Sequence, residues 1–180
     1  MSRFLFLFLS LWISPLCAAD AKLARDGVEL SISARTAEQI SAFYGARGMP
    51  SAALQALSQA CFLTVGLHNR RNESVWLEPA AWRFIAADGK PIARISRQEW
   101  TARWTALQVP LAAQSTFGWT QLPESRDLYP DESVGANIAI QPPTGSFSLI
   151  ARFRTGAGGE GRPIELSIPG LSCAPQGLKP

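Results

Sequence analysis

The sequence is poor in the side chains on which most catalytic sites depend. It has one histidine, His68, in 180 residues. Any Ser-His-Asp or Cys-His pair would have to use this residue. His68 stands beside Asn69 near the end of a predicted strand, where a surface or turn histidine is expected. A Gly-x-Ser-x-Gly nucleophile elbow is also absent. These absences give no support to a serine or cysteine hydrolase.

Patterns that bind metals are missing too. The sequence has no Cys-x-x-Cys and no His-x-x-x-His, which are the usual signatures of zinc sites. A copper chaperone would need several methionines and histidines, and beyond Met1 the chain offers one of each, Met49 and His68. We therefore predict neither a metal site nor a cofactor.

Charge of one sign is nowhere concentrated. Lysine and arginine together number 17, aspartate and glutamate 14, and the formal net charge is +3. The basic residues are mostly arginines and are spread along the chain. Because nucleic-acid binding needs a dense basic face, we expect no nucleic-acid partner.

The apolar run at the start of the chain is short. It extends from Phe4 to Ile13 and is interrupted only by Ser10, whereas a membrane-spanning helix takes about 20 residues. Arg3 precedes the run, while Pro15 and small residues up to Ala19 follow it. This arrangement is typical of a secretory signal peptide.

We predict that residues 1–19 are the signal peptide, with cleavage after Ala19 or, as a second choice, after Ala18. Residues 20–180 would then form a single domain in the periplasm or outside the cell. An uncleaved N-terminal membrane anchor is the alternative, and the short apolar run disfavours it.

Cysteine is scarce, with three in the chain. Cys17 could carry a lipid anchor, but lipoprotein sites place a small residue before the cysteine, and Leu16 stands there instead. If Cys17 leaves with the signal peptide, Cys61 and Cys173 remain. An even number of cysteines in an oxidising compartment predicts a disulfide between them. Two unpaired, buried thiols are the alternative.

The sequence is rich in apolar residues at every second position, a pattern that predicts half-buried β-strands. About nine runs are strand candidates: residues 28–32, 61–67, 75–77, 82–86, 91–95, 116–120 around Phe117 and Trp119, 134–140, 147–153 and 164–168. Turn signals separate several of them, and Asp88-Gly89 is a strong hairpin signal. Many short strands with intervening turns predict a mainly β chain folded as an antiparallel sandwich.

Two segments predict short helices instead. Thr36 to Gln39 fits a capping box, which begins a helical segment over about 36–59. Ser96 and Glu99 fit a second one, which begins a helix over about 96–107. In a β-sandwich such helices are insertions that cover an edge or one end.

From Cys61 onward, Asn69 closes one strand, the Asp-Gly turn at Asp88 follows another, and a Pro-x-Glu corner over Pro130 to Glu132 precedes a later one. This order of features resembles the immunoglobulin-like domains of secreted bacterial proteins. The resemblance covers about 100 residues and implies an immunoglobulin-like β-sandwich. The capped helices at Thr36 and Ser96 depart from it, so the predicted fold is an immunoglobulin-like β-sandwich with short helical insertions. It implies no catalytic or ligand-binding residue.

Tryptophan supplies the candidate partner surface. Trp100 and Trp104 lie one turn apart on the second predicted helical segment, accompanied by Arg97 and Arg103. Tryptophan and arginine are enriched where proteins bind partners. Packing of the same helix onto the core is the alternative. Trp82 and Trp119 lie on predicted strands and are expected in the core.

Four acidic residues cluster along residues 124–132: Glu124, Asp127, Asp131 and Glu132. Two carboxylates held about 5–9 Å apart would suit a glycosidase. A solvated turn between Pro123 and Pro130 is the competing interpretation, and the immunoglobulin-like resemblance favours it.

Together these observations predict an exported, non-enzymatic cell-envelope protein that acts as a binding or assembly module for a protein or cell-surface partner. Two alternatives stay open. One is a carbohydrate-active or other hydrolase that uses residues 124–132. The other is a carrier with a small-ligand pocket between the sandwich and its helices.

Overall fold

The structure, a computed structural model, describes residues 20–175. The predicted signal peptide, residues 1–19, lies outside the described residues. Within the described range the chain is mainly β, with eleven strands in two antiparallel sheets, four α-helices and two short 3-10 turns. No helix in this range is long and apolar enough to cross a membrane.

The first sheet has five strands, each antiparallel to its neighbours. Their order across the sheet is β1 (Ala21–Arg25), β2 (Val28–Arg35), β3 (Cys61–Asn69), β9 (Ser133–Ile140) and β7 (Arg94–Ile95). The register places Leu30 of β2 opposite Leu67 of β3, and Leu67 opposite Val134 of β9. One face of this sheet therefore carries the predicted apolar rows.

The second sheet is arranged around one long strand. Its members are β6 (Pro91–Ile92), β5 (Arg83–Ala86), β10 (Phe147–Thr155), β4 (Val75–Leu77), β8 (Arg126–Leu128) and β11 (Pro163–Leu171). Strand β10 pairs with β11 on one edge. On its other edge it pairs first with β5 and then with β4. The predicted hairpin at Asp88-Gly89 joins β5 to β6, and Gly89 has a φ of 84°.

The main apolar core is built from the alternating residues of both sheets. Leu30, Leu63 and Val65 of the first sheet belong to the same buried cluster as Leu149 and Leu166 of the second. The predicted disulfide is present: Cys61 at the start of β3 is bonded to Cys173 beyond β11, with a Cα–Cα distance of 5.6 Å.

Two helical pairs are inserted between strands. Helices α1 (Ala37–Gly45) and α2 (Ser51–Ser58) connect β2 to β3, while α3 (Arg97–Ala106) and α4 (Leu111–Trp119) lie between β7 and β8. Both predicted capping boxes are formed, because Thr36 accepts from the Gln39 amide and Ser96 from the Glu99 amide, and each partner side chain accepts from the cap residue in return.

The helices form a second apolar cluster against the outer face of the first sheet. Phe62 of β3 and Ala139 of β9, which are paired across the sheet, belong to this cluster. The ring centroid of Trp100 lies 5.9 Å from that of Phe62 and 5.0 Å from that of Trp104. The helices thus cover only the end of the outer face where Phe62 lies.

The structure corrects three strand predictions. The run around Phe117 and Trp119 belongs to α4, which begins directly after Pro110. Residues 126–128, predicted as part of a turn, form β8 because they pair with β4. The run over 91–95 is divided between the two sheets, since β6 pairs with β5 and β7 pairs with β9.

Candidate binding clefts around Trp119

The two tryptophans of the predicted partner surface are largely buried, although both lie in the lining of a cleft between α3 and α4. Trp100 and Trp104 are each 2% exposed, because α3 turns them toward Phe62 and toward Phe117 of α4. Both indoles therefore pack against the core, as the alternative interpretation of this helix predicts. The Arg103 guanidinium lies 4.7 Å above the Trp100 ring, where it covers the indole.

Trp119, expected in the core, is instead 88% exposed. Helix α4 buries Ala113 and Phe117, which lie four residues apart on one face. Trp119 is two residues beyond Phe117, a position that turns about 200° from the buried face. In a strand, the alternation of Phe117 and Trp119 would place both rings on one face. In α4 the two rings lie on opposite sides of the helix.

The backbone that follows Trp119 is bonded to the first sheet. The Asn137 amide donates to the Thr120 carbonyl over 2.8 Å, and the Leu122 amide donates to the Asn137 carbonyl over 2.8 Å. This short parallel bridge holds the end of α4 beside β9. The exposed indole is therefore attached to a rigid element and not to a free loop.

Two open clefts lie on either side of the indole. The sheet cleft, of about 530 Å³, is bounded by β2, α1 and Trp119 and includes Phe43 and Arg35. The helix cleft, of about 660 Å³, runs between α3 and α4 from Leu111 to Trp119 and on to β9. Trp119, Gly135 and Ala136 line both clefts.

A chain of hydrogen bonds forms the polar side of the sheet cleft. Arg35 Nε donates to Thr64 Oγ1 over 2.8 Å, and Thr64 Oγ1 donates to Asn137 Oδ1 over 2.9 Å. Asn137 Nδ2 and Gln121 Nε2 donate to the Tyr44 hydroxyl over 3.3 Å and 2.9 Å. Burial raises the pKa of Tyr44 above its ordinary value, against the opposing effect of these hydrogen bonds. These hydrogen bonds thus hold the cleft wall in place in the free protein.

The charges that line the clefts are all positive. Arg35 lines the sheet cleft, Arg97 and Arg126 line the helix cleft, and neither lining includes a carboxylate. Arg126 is paired with Glu132. The Arg97 charge also acts on Glu124, whose pKa it helps to lower. Because Arg35 and Arg97 line the clefts, an anion in either cleft would lie close to a positive charge.

The acidic residues of 124–132 are held separately by different partners. Arg94 binds both Glu124 oxygens, at 3.2 Å and 2.5 Å, and the Arg97 amide donates to Oε1 over 2.9 Å. Desolvation raises the pKa of Glu124, but the bonds from Arg94 and from the Arg97 amide outweigh it, and the net pKa is lowered. Glu124 therefore serves as an ion-pair partner that connects β7 to the start of α3.

The other three carboxylates are engaged elsewhere. Asp127 accepts from the Gly158 amide over 2.9 Å. Asp131 accepts from His68 over 2.9 Å and from Arg70 over 3.4 Å, and the His68 hydrogen bond is the main reason that the pKa of Asp131 is lowered. Glu132 pairs with Arg126. Among the described residues no group of three or more His, Cys, Asp or Glu side chains is placed to hold a metal ion.

Asn69, quoted above as the end of a strand, is the most enclosed polar side chain at that corner. Its amide donates to the carbonyl oxygens of Glu73 and Leu128 over 2.9 Å and of Tyr129 over 3.1 Å, while its oxygen accepts from the Arg71 amide over 3.0 Å. This residue fastens the turn after β3 to the end of β8.

Comparison with known proteins identifies no family. No family model and no curated protein matches the chain. Among solved structures it is similar to the yjhA protein from Bacillus subtilis, with 8% identity and a TM-score of 0.35 over 52% of this chain and 56% of that one. It is also similar to the "putative lipoprotein (ycdA)" of Bacillus subtilis subsp. subtilis str. 168, with 11% identity and a TM-score of 0.45 over 84% of this chain and 39% of that one. The chain thus spans less than two thirds of either structure.

Proposed function

We propose that this chain is an exported, non-enzymatic binding module of the cell envelope, with an immunoglobulin-like β-sandwich as its scaffold. The Cys61–Cys173 disulfide supports export, because such bonds persist in oxidising compartments. Two antiparallel sheets that share one apolar core support the sandwich. The helical insertions carry the binding surface.

The observation that carries the proposal is the exposure of Trp119 between two clefts. Trp119 has 88% of its surface in water, although tryptophan is highly buried on average. Concave clefts lined by aromatic and polar side chains are typical ligand sites, and tryptophan and arginine dominate binding energies. The hydrogen-bonded wall of the sheet cleft keeps the site ordered in the free protein.

Co-sedimentation of the purified exported protein with isolated envelopes of its own source tests the proposal. We expect the wild-type protein to sediment and Trp119→Ala to bind at least tenfold more weakly, since loss of a binding hot spot removes about 2 kcal/mol or more. Tyr129→Ala is the matched control, because Tyr129 is a 61% exposed aromatic that lines neither cleft. Equal sedimentation of wild type and Trp119→Ala, or no sedimentation of the wild type, would contradict the proposal.

A further inference from the structure

We propose that the clefts beside Trp119 bind an acidic polysaccharide, with a sugar ring stacked on the Trp119 indole and uronate carboxylates paired with Arg35 and Arg97. This inference rests on the proposed binding function and names the chemistry of its ligand.

The floor between the clefts offers polar groups that a carbohydrate could contact. Thr64, Asn137 and Gly135 lie on the outer face of the first sheet, and Thr64 and Asn137 are already bonded to each other. A protein partner would place an apolar side chain at the fully buried centre of its interface, and the hydrogen-bonded pair of Thr64 and Asn137 does not match such a side chain. Sugar hydroxyls both donate and accept hydrogen bonds, as the hydroxyl and amide groups of this floor do.

The indole supplies the apolar contact for such a ligand. The face of an aromatic ring is electron-rich, and the C–H groups on one side of a pyranose ring are weakly positive. A sugar ring can therefore lie flat on an exposed indole while its hydroxyls point to the cleft walls. Trp119 is open to both clefts, so it can contact a chain that continues from one cleft to the other.

Charge complementarity selects an acidic chain. Arg35 stands in the sheet cleft and Arg97 in the helix cleft, and no carboxylate lines either cleft. The planar guanidinium fork matches the two oxygens of a carboxylate. With Arg35 in one cleft and Arg97 in the other, a repeated acidic sugar fits better than a ligand with one terminal charge.

The length of the helix cleft indicates an oligosaccharide. The cleft follows α4 from Leu111 to Trp119, a span of eight residues or about 12 Å along the helix. It then continues onto β9 at Val134 to Ala136. This path is longer than one sugar ring, so several consecutive units would occupy it together.

Calorimetric titration of the purified exported protein tests the ligand class. The probes are hexamers of galacturonate, mannuronate and glucuronate, neutral cellohexaose, and poly-L-glutamate. We expect at least one uronate hexamer to bind tenfold or more tightly than both cellohexaose and poly-L-glutamate. Binding of no uronate, or equal binding of the neutral sugar or the acidic peptide, would overturn the inference.

Substitutions in the two clefts test which side chains contact the ligand. We expect Trp119→Ala, Arg35→Met and Arg97→Met each to weaken uronate binding at least fivefold, and added salt to weaken it in the wild type. Arg83→Met is the matched control, because Arg83 is an exposed strand arginine outside both clefts. An equal loss in Arg83→Met would show general charge attraction and would also overturn the inference.

The inference and the proposed function fail in different ways. If envelopes bind the wild type and reject Trp119→Ala while no uronate binds, the binding function stands and the acidic polysaccharide is wrong. If neither envelopes nor uronates bind, both proposals fall.

Discussion

Gly66 and Gly135 lie directly opposite each other across the β3–β9 pair, on the outer face of the first sheet. A Cβ on Gly66 would lie 2.5 Å from Ser31 Oγ, whereas a Cβ on Gly135 would meet no atom within 4 Å. The floor beneath Trp119 is thus open at Gly135, and this position can accept a side chain.

Gly135→Leu should block binding without harming the fold. Gly135 lines both clefts and its φ is not positive, so the leucine would fill the floor without backbone strain. We expect at least a tenfold loss of envelope binding with the free energy of unfolding within about 0.5 kcal/mol of wild type. Gly145→Leu, at another position with open space around it, should change neither quantity. Unchanged envelope binding in Gly135→Leu would contradict this prediction.

Substitution of two tryptophans in the α3–α4 pair should have very different effects on the stability of the protein. Trp104 is 2% exposed and stacks on Trp100 at 5.0 Å, so Trp104→Ala should lower the free energy of unfolding by about 3–5 kcal/mol. Trp119→Ala should change it by less than about 0.5 kcal/mol. Urea unfolding measures both, and similar losses in the two variants would refute the assignment of one buried and one exposed ring.

The disulfide should contribute several kcal/mol to stability. It joins residues 112 positions apart, and closing a loop of this length removes unfolded-state entropy equivalent to about 3–5 kcal/mol. Cys61→Ala combined with Cys173→Ala should show that loss in urea unfolding, and the reduced wild-type protein should match the double variant. A loss below about 1 kcal/mol would mean that the bond contributes little.

Asn69 should be the most sensitive polar residue at its corner of the fold. Asn69→Ala leaves the Arg71 amide and the carbonyls of Glu73 and Leu128 without their partner in a buried site. We expect a loss of about 2–3 kcal/mol in the free energy of unfolding. Asn72→Ala, in the exposed part of the same turn, should stay within about 0.5 kcal/mol of wild type.

Glu124 should contribute an acid-sensitive part of the stability. Its folded-state pKa lies below the ordinary glutamate value of 4.5, so below about pH 4.5 the unfolded chain binds more protons than the folded one. The contribution is present above that pH and disappears as the pH falls through the lowered pKa. Because solvent reaches this carboxylate, we expect at most about 1 kcal/mol. Unfolding at pH 6 and pH 3 should show a smaller pH effect in Glu124→Gln than in wild type.

Much of the scaffold follows from local sequence patterns. Alternating apolar residues predict β2, β3, β10 and β11 because each of these strands buries one face against the core. Both capping boxes predict their helices because the bonds lie within four residues. The Cys61–Cys173 pairing follows from the number of cysteines left after the predicted signal peptide is removed.

The candidate site could not be predicted in the same way. Phe117 and Trp119 alternate like strand residues, and only the Pro110 that precedes α4 and the alanines at its start indicate a helix. The cleft around Trp119 also depends on contacts between segments far apart in sequence, such as Arg35 with Thr64 and Thr64 with Asn137. Periodicity carries no information about such contacts.

The segment that contains α3 and α4 begins and ends beside the same strand, β9. Ile95 of β7 pairs with Ala139, and Gln121 bridges to Asn137, so the two attachment points are about 7 Å apart along β9. A segment whose ends are so close can lengthen, shorten or be replaced while the strands keep their register. Replacement of the segment that contains α3 and α4 would therefore change the binding surface and leave the two sheets unchanged.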